Sequence, residues 1–245
     1  MNQPKRLRIF AGPNGSGKSS LVPIISDKQV DLGIYVNADN IKKELQETRC
    51  LDFAAFSLSL DLHHLKGQFR SSSLYPISNG NELSKHLHSL NNQLSVSDHY
   101  PINDYFTAFL SEYLRIQLLN SCNKFTIETV MSHVSKIEFL KTAKEQGFKI
   151  YLYFISLENS ELCVNRVRAR VEQGGHDVPV QKITERYERT MNFLLDAIRL
   201  ADRAFLFDNS YSSPKLFATA ENEQIKLENT SYAPLWFQKY VLEKL

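Results

Sequence analysis

Gly12-Pro13-Asn14-Gly15-Ser16-Gly17-Lys18-Ser19 is the stretch that decides the fold. It follows the strand-like run Leu7-Arg8-Ile9-Phe10-Ala11 and leads into a helical run beginning near Ser20. The spacing is that of a G-x-x-x-x-G-K-[ST] phosphate loop, in the strand–loop–helix context that gives the motif its meaning. Glycines at 12, 15 and 17 let the backbone turn without Cβ clashes, so that successive N–H groups point inward at phosphate oxygens. The following helix presents free N–H groups and the positive end of its dipole to the same anion. In this pattern Lys18 reaches the β- and γ-phosphates and the Ser19 hydroxyl ligates magnesium. The expected nucleotide triphosphate site is therefore Gly12, Pro13, Asn14, Gly15, Ser16, Gly17, Lys18, Ser19 and Ser20, with Ser19 as the Mg2+ ligand. Pro23 falls in the second helical turn, where it lacks an N–H and clashes with the turn before. A kink or early stop is expected there.

Composition bounds the rest. At 245 residues the chain reads as one large domain, or as a core with a sizeable insertion. A hydrophobic share of 42% suits a globular core. A net charge of +2 argues against a dedicated nucleic-acid surface. Cys50, Cys122 and Cys163 are far apart and lack C-x-x-C spacing, so neither a disulfide framework nor a zinc site is expected. No apolar run is long enough to span a bilayer. The first strand begins within a few residues of Met1, which predicts no signal peptide and a cytoplasmic location.

Strand-like and helix-like segments alternate after the loop, which favours an α/β fold with a mostly parallel sheet. Strands are expected at residues 34–37, 124–128, 149–156 and 204–208, besides the first. A hairpin within 216–229 would extend the sheet edge, for five or six strands in all. Residues 159–203 read as helix, broken by Gly174-Gly175-His176-Asp177-Val178-Pro179. The Gly-Gly pair terminates one helix and Pro179 opens the next. A closing helix is expected at 235–245, with Trp236 as a core anchor.

Residues 48–104 differ, being rich in Ser, Asn and His, and read as an insertion beside the sheet within a single domain 1–245. Residues 75–81 resemble a turn, and a helix over 105–119 follows with Asn103 as its N-cap. Phe106, Phe109, Leu110, Tyr113 and Leu114 have core spacing on that helix. His63, His64, His86, His88 and His99 lack companions at ligand spacing, which favours surface or hydrogen-bonded roles over a metal site.

The loop's use is narrowed by what is missing. The chain has no Leu-Ser-Gly-Gly signature of an ABC ATPase. Asn123-Lys124 runs on to Phe125-Thr126, so it is not the base-reading motif of a GTPase. The strand at 124–128 ends in Glu128-Thr129 and not in Asp-Glu, as a motor ATPase would require. What remains is a small-molecule kinase in which a basic lid closes over the γ-phosphate. Arg166, Arg168 and Arg170 supply the lid candidate, with Arg166 and Arg170 sharing a helix face. Val164, Val167 and Val171 form the apolar stripe beneath them. Lys182, Arg186 and Arg189 follow on the next helix. The competing reading is a solvated basic face balanced by Glu172, Glu185 and Glu188. Asp39 lies at the C-terminal end of a strand, where it would accept the proton of an attacking hydroxyl; alternatively Asp39 or Asn37 is a helix N-cap. Glu128 would hold a substrate hydroxyl or a magnesium-bound water. Asp208-Asn209-Ser210 lines the adenine side or shapes a turn.

Taken together, Ala11 to Ser19, Asn37-Ala38-Asp39, Ile127-Glu128-Thr129, the arginines and Gly-Gly-His-Asp-Val-Pro of 166–179, Arg186-Tyr187-Glu188-Arg189 and Phe207-Asp208-Asn209-Ser210 resemble the zeta-toxin-like P-loop kinases. In particular they resemble the bacterial branch labelled "predicted ABC-type ATPase". The resemblance covers about the first 45 residues and most of 125–210. It implies a P-loop NTPase three-layer sandwich with a helical lid. It implies that Lys18 and Ser19 bind ATP and Mg2+, that Asp39 deprotonates a sugar hydroxyl, and that Glu128 and Thr129 contact substrate. Arg166 or Arg170 would stabilise the transferred phosphate. It further implies UDP-N-acetylglucosamine as acceptor and an antitoxin protein as partner. Two departures bear on the acceptor. Gly174-Gly175-His176 leaves no obvious second lid arginine, so His176 or Arg186 would stand in. The insertion falls where acceptor-binding elements are expected. The alternatives are a nucleotide-dependent regulatory ATPase and a kinase of nucleic-acid ends.

Overall fold

The computed structural model describes residues 4–175, 177–222, 224–228 and 232–245. Along the chain run β1 (Arg6–Ala11), α1 (Lys18–Ser26), β2 (Ile34–Val36), α2 (Ala38–Thr48), β3 (Cys50–Asp52), α3 (Leu62–Ser71), the single turns α4 (Leu74–Ile77) and α5 (Gly80–Leu83), β4 (Leu87–Leu90), β5 (Gln93–Val96) and α6 (Asp104–Ser121). They are followed by β6 (Lys124–Thr129), α7 (Val134–Glu145), β7 (Lys149–Ser156), α8 (Ser160–Glu172), α9 (Val180–Asn192), α10 (Leu194–Leu200), β8 (Arg203–Asp208), β9 (Lys215–Glu221), β10 (Gln224–Leu227) and α11 (Leu235–Tyr240). The chain is a mixed α/β fold, and it divides into two compact units. One is Met1–Leu32 with Glu128–Leu245, and the other is Gly33–Ile127.

In the first unit the strand order is β10-β9-β8-β7-β1. β1, β7 and β8 are parallel, with Ala11 opposite Phe154 and Ser156 opposite Asp208. The C-terminal hairpin β9–β10 adds two antiparallel strands, so the strands exceed five or six once β2 and β6 are counted. Alternation along β7 sends Tyr153 and Ile155 to one face and Leu152 and Phe154 to the other. The first face is closed by Phe10, Phe207 and the α1 residues Leu21 and Ile25. On the second, the Phe154 and Trp236 rings lie 6.0 Å apart, and Trp236 is fully buried. Helices on both faces make the three layers expected of this unit. α1 contains Pro23 and stops three residues beyond it, consistent with the missing N–H. The stripe of α8 consists of Cys163, Val164 and Val167, whereas Val171 is only half-buried.

In the second unit β2 pairs parallel with the start of β6, and β3-β5-β4 forms a separate antiparallel sheet. The β4–β5 connection is Asn91-Asn92, both at positive φ (49° and 65°), as a tight hairpin turn requires. α6 buries Phe106, Phe109, Leu110, Tyr113 and Leu114, and the Asn103 carboxamide accepts from Phe106 N at 3.0 Å, the cap expected. Residues 75–81 are the end of α4 and the start of α5, with left-handed Asn79 between them. Among the described residues no group of three His, Cys, Asp or Glu is placed to hold a metal. His64 instead meets the Tyr113 hydroxyl at 3.0 Å, and His86 stacks on Tyr100. No described helix is long and apolar enough to cross a membrane.

Candidate active site

The phosphate loop leaves the C-terminal end of β1 and enters α1 within the first unit. Its three glycines all have positive φ, and each lies where a side chain has no room. A Cβ on Gly12 would stand 2.0 Å from the Ile155 carbonyl oxygen at the end of β7. One on Gly15 would stand 2.6 Å from the Cys163 carbonyl of α8. One on Gly17 would stand 2.5 Å from the Asn209 amide nitrogen beyond β8. The loop is thus gripped by three elements, which the glycine spacing alone does not reveal.

Lys18 is buried, and its Nζ donates to the carbonyls of Gly12 and Pro13 at 3.0 and 2.9 Å. The ammonium is thereby folded over the loop. The Ser16 hydroxyl and the Asn14 side-chain oxygen are buried with no hydrogen-bond partner among the described residues. Buried polar atoms of this kind call for a polar occupant, and a loop of inward N–H groups suits phosphate. Ser19 Oγ donates to Glu128 Oε1 and Oε2 at 3.0 and 3.1 Å. A hydroxyl and a carboxylate side by side are hard oxygen donors, which fit Mg2+ and would hold it together with phosphate oxygens. Ser20 is exposed on the first turn of α1.

The lid candidates part company. Arg166 Nη2 donates to the carbonyls of Asn209 at 2.5 Å and Tyr211 at 3.1 Å, so this guanidinium is tied to the segment after β8. The Arg170 stem lies over Gly175, where a Cβ would meet its Cγ at 2.5 Å. Arg168 is exposed, and Arg189 pairs with Glu185 at 3.6 Å on the solvent side, as the solvated-face reading anticipates. Arg186 is half-buried on α9. His176 lies outside the described residues.

Thr129 Oγ1 accepts from Met131 N at 3.2 Å and so forms the turn after β6. In the second unit, Asn37 caps α2 by accepting from Asp39 N at 2.8 Å. The competition for the cap is settled in favour of Asn37, and the Asp39 carboxylate stays exposed and uncommitted to capping. A cavity of about 480 Å³ in this unit is lined by Arg70, Tyr75, Asn81, Ser84 and Lys85, none of them a sequence-predicted site residue.

Asp208 shapes the turn at the end of β8. Its carboxylate accepts from Ser210 Oγ at 2.6 Å, Tyr232 OH at 2.5 Å and Trp236 Nε1 at 3.5 Å. Burial, reinforced by that contact with Asp208, pushes the Tyr232 phenol up. Burial, with Asp208 nearby, also raises the Glu158 carboxyl. Sequence reading placed Asn209 on the adenine side or in a turn and missed its bond to the loop: Asn209 Nδ2 donates to the Ser16 carbonyl at 2.8 Å. The only sequence signal was its place after a strand, at the sheet edge where ligands gather.

No protein-family model matches the chain. An "Uncharacterized protein" of Haemophilus influenzae is 38% identical over 63 residues, which are 26% of this chain and 45% of that protein. The complex of AvrRxo1-ORF1 with AvrRxo1-ORF2, solved with sulphate ions and with ATP, aligns at a TM-score of 0.60 over 97% of this chain, with 14% and 15% identity. The chain spans 63% of that structure's chain, and under half of the curated relative. The PezAT toxin–antitoxin system of Streptococcus pneumoniae aligns over 98% of this chain and 78% of its own at 16% identity, with a TM-score of 0.49. At these identities the AvrRxo1 comparison establishes a shared fold.

Proposed function

We propose that this chain is an ATP-dependent kinase of the zeta-toxin-like type that phosphorylates a hydroxyl of a small molecule, with UDP-N-acetylglucosamine as the leading acceptor. The observation that carries this reading is the pairing of Ser19 with Glu128 beside a loop over which Lys18 is folded. That set would bind and neutralise a triphosphate and hold its metal, as phosphoryl transfer demands. The AvrRxo1 complex solved with ATP supports ATP as the nucleotide. Mg2+ would be held by Ser19 and Glu128, where it offsets the charge of the β- and γ-oxygens.

Asp39 is the proposed acceptor of the hydroxyl proton. Its carboxylate is exposed and already relieved of capping by Asn37. The acceptor oxygen then forms its bond to the γ-phosphorus as the bond to the β–γ bridging oxygen breaks, and ADP leaves. Arg170 and Arg186 are the proposed cations for the transferred group, with His176 and Thr129 on the substrate side. An antitoxin partner belongs to the same proposal, as does a cytoplasmic setting. AvrRxo1-ORF1 in complex with AvrRxo1-ORF2 supports a protein partner.

The test is incubation with labelled ATP and a nucleotide-sugar mixture, followed by mass analysis. A nucleotide sugar that gains one phosphate is expected, and Asp39→Asn should abolish that gain while ATP binding persists. Bound ATP with no phosphorylated product would favour a regulatory ATPase instead.

A further inference from the structure

We infer that Arg166 and Asn209 form a strut that aims the phosphate loop, and that Arg166 is a positioning residue and not the cation that meets the transferred phosphate. The inference rests on the ATP reading above and assigns a role within that same site.

Asn209 is buried, and its Nδ2 donates to the buried Ser16 carbonyl at 2.8 Å. The consequence follows from peptide geometry. The Ser16 C=O and the Gly17 N–H belong to one planar trans peptide and point in opposite directions. Holding the carbonyl back toward Asn209 therefore turns the Gly17 N–H the other way, away from the scaffold. An amide so directed is one of the donors that a phosphate loop needs. The absence of a side chain at Gly17 is required by the same contact, since a Cβ would sit 2.5 Å from Asn209 Nδ2.

Asn209 is itself held at both ends of its backbone. Its N–H donates to the Ser156 carbonyl at 2.9 Å, and its carbonyl accepts from Arg166 Nη2 at 2.5 Å. The same Nη2 reaches the Tyr211 carbonyl at 3.1 Å. Arg166 projects from α8, whose Cys163 carbonyl packs against Gly15. The guanidinium thus ties together two of the three elements that grip the loop. With two carbonyls on one nitrogen, it is committed to the scaffold. The planar fork suits this task, and a lysine ammonium serves it less well.

The experiment measures two things on the full chain with magnesium present: ATP affinity by calorimetry, and hydrogen exchange of the amides of residues 14–18 without nucleotide. Asn209→Asp keeps the shape but cannot donate to the Ser16 carbonyl. Arg166→Ala removes the other end, and Arg166→Lys restores part of it. Asn209→Asp and Arg166→Ala should each weaken ATP binding roughly 10–100-fold, the range of a buried hydrogen bond lost, and should speed exchange of the loop amides. The double variant should bind ATP no more weakly than the worse single one, because both act through one carbonyl. Arg166→Lys should fall between. Arg166→Ala with unchanged ATP affinity and unchanged loop exchange would overturn the inference, most directly if only turnover fell. If Asn209→Asp fails to fold, the Arg166→Ala and Arg166→Lys pair decides alone. A wild-type chain that binds no ATP would defeat the kinase reading, while the exchange measurement would still judge the strut.

Discussion

At the residue scale, the decisive contact is Ser19 with Glu128, since both supply oxygen to one small space. Glu128→Gln keeps an acceptor for the Ser19 hydroxyl but removes the negative charge that attracts a divalent cation. The Mg2+ concentration that supports half-maximal ATP turnover should rise roughly 10–100-fold, the range seen when groups around a bound metal are altered. A magnesium titration reads this, and an unchanged midpoint would remove Glu128 from the metal assignment. The three loop glycines were legible as glycines from the motif, because positive φ belongs to the motif itself. Their three neighbours, Ile155, Cys163 and Asn209, were not, because a contact across 140 residues or more leaves no periodic trace in the sequence.

At the element scale, helix caps and helix interiors obey local rules. Asn103 caps α6 through Phe106 N, and its Nδ2 also donates to the Ser78 carbonyl at 3.0 Å. Asn103→Ala should cost about 1–2 kcal/mol in a denaturant titration, the upper part of the range for a lost cap. Gly67 lies inside α3 with nothing within 4 Å of where a Cβ would be. Gly67→Ala should stabilise by about 0.5–1 kcal/mol through helix propensity alone. A loss of stability at that position would show that the face of α3 is covered. The strands at 149–156 and the helices on either side of residues 173–179 could be read in advance, because their patterns are local. The three-stranded sheet of residues 50–96 could not, because its strands have three or four residues each and little alternation.

At the scale of the whole molecule, burial sets the response to alkali. Cys163 is fully buried, and burial pushes its thiol from 9.0 up to about 12. The Tyr187 phenol, hydrogen-bonded to the Leu157 and Glu158 carbonyls, is raised in the same way. Both groups ionise more readily once unfolded. The Cys163 contribution to stability is therefore complete below about pH 9 and is lost as pH rises from 9 toward 12, whereas that of Tyr187 starts to be lost only above its ordinary value of 10.0. The slope from Cys163 should not exceed about 1.4 kcal/mol per pH unit. Urea midpoints measured from pH 7 to 11 should fall above 9, and Cys163→Ala should flatten the decline. A net charge of +2 leads to a further expectation, that oligonucleotides bind weakly and with little dependence on salt. Tight, salt-sensitive binding would revive the reading as a kinase of nucleic-acid ends.

The residues alone determined the phosphate loop, the α/β alternation and the core positions of α6, because glycine spacing, strand composition and helical periodicity are properties of neighbouring residues. Only the tertiary structure decided that Asn37 and not Asp39 caps α2, since the helix starts at Ala38, which leaves Asn37 just outside the first turn to accept from Asp39 N and places Asp39 within it. Only it decided that Arg166 is bound to Asn209 and Tyr211, although its sequence spacing from Arg170 suggested a shared task. Helical spacing assigns a side chain to a face, but which atoms meet that face depends on where distant strands end.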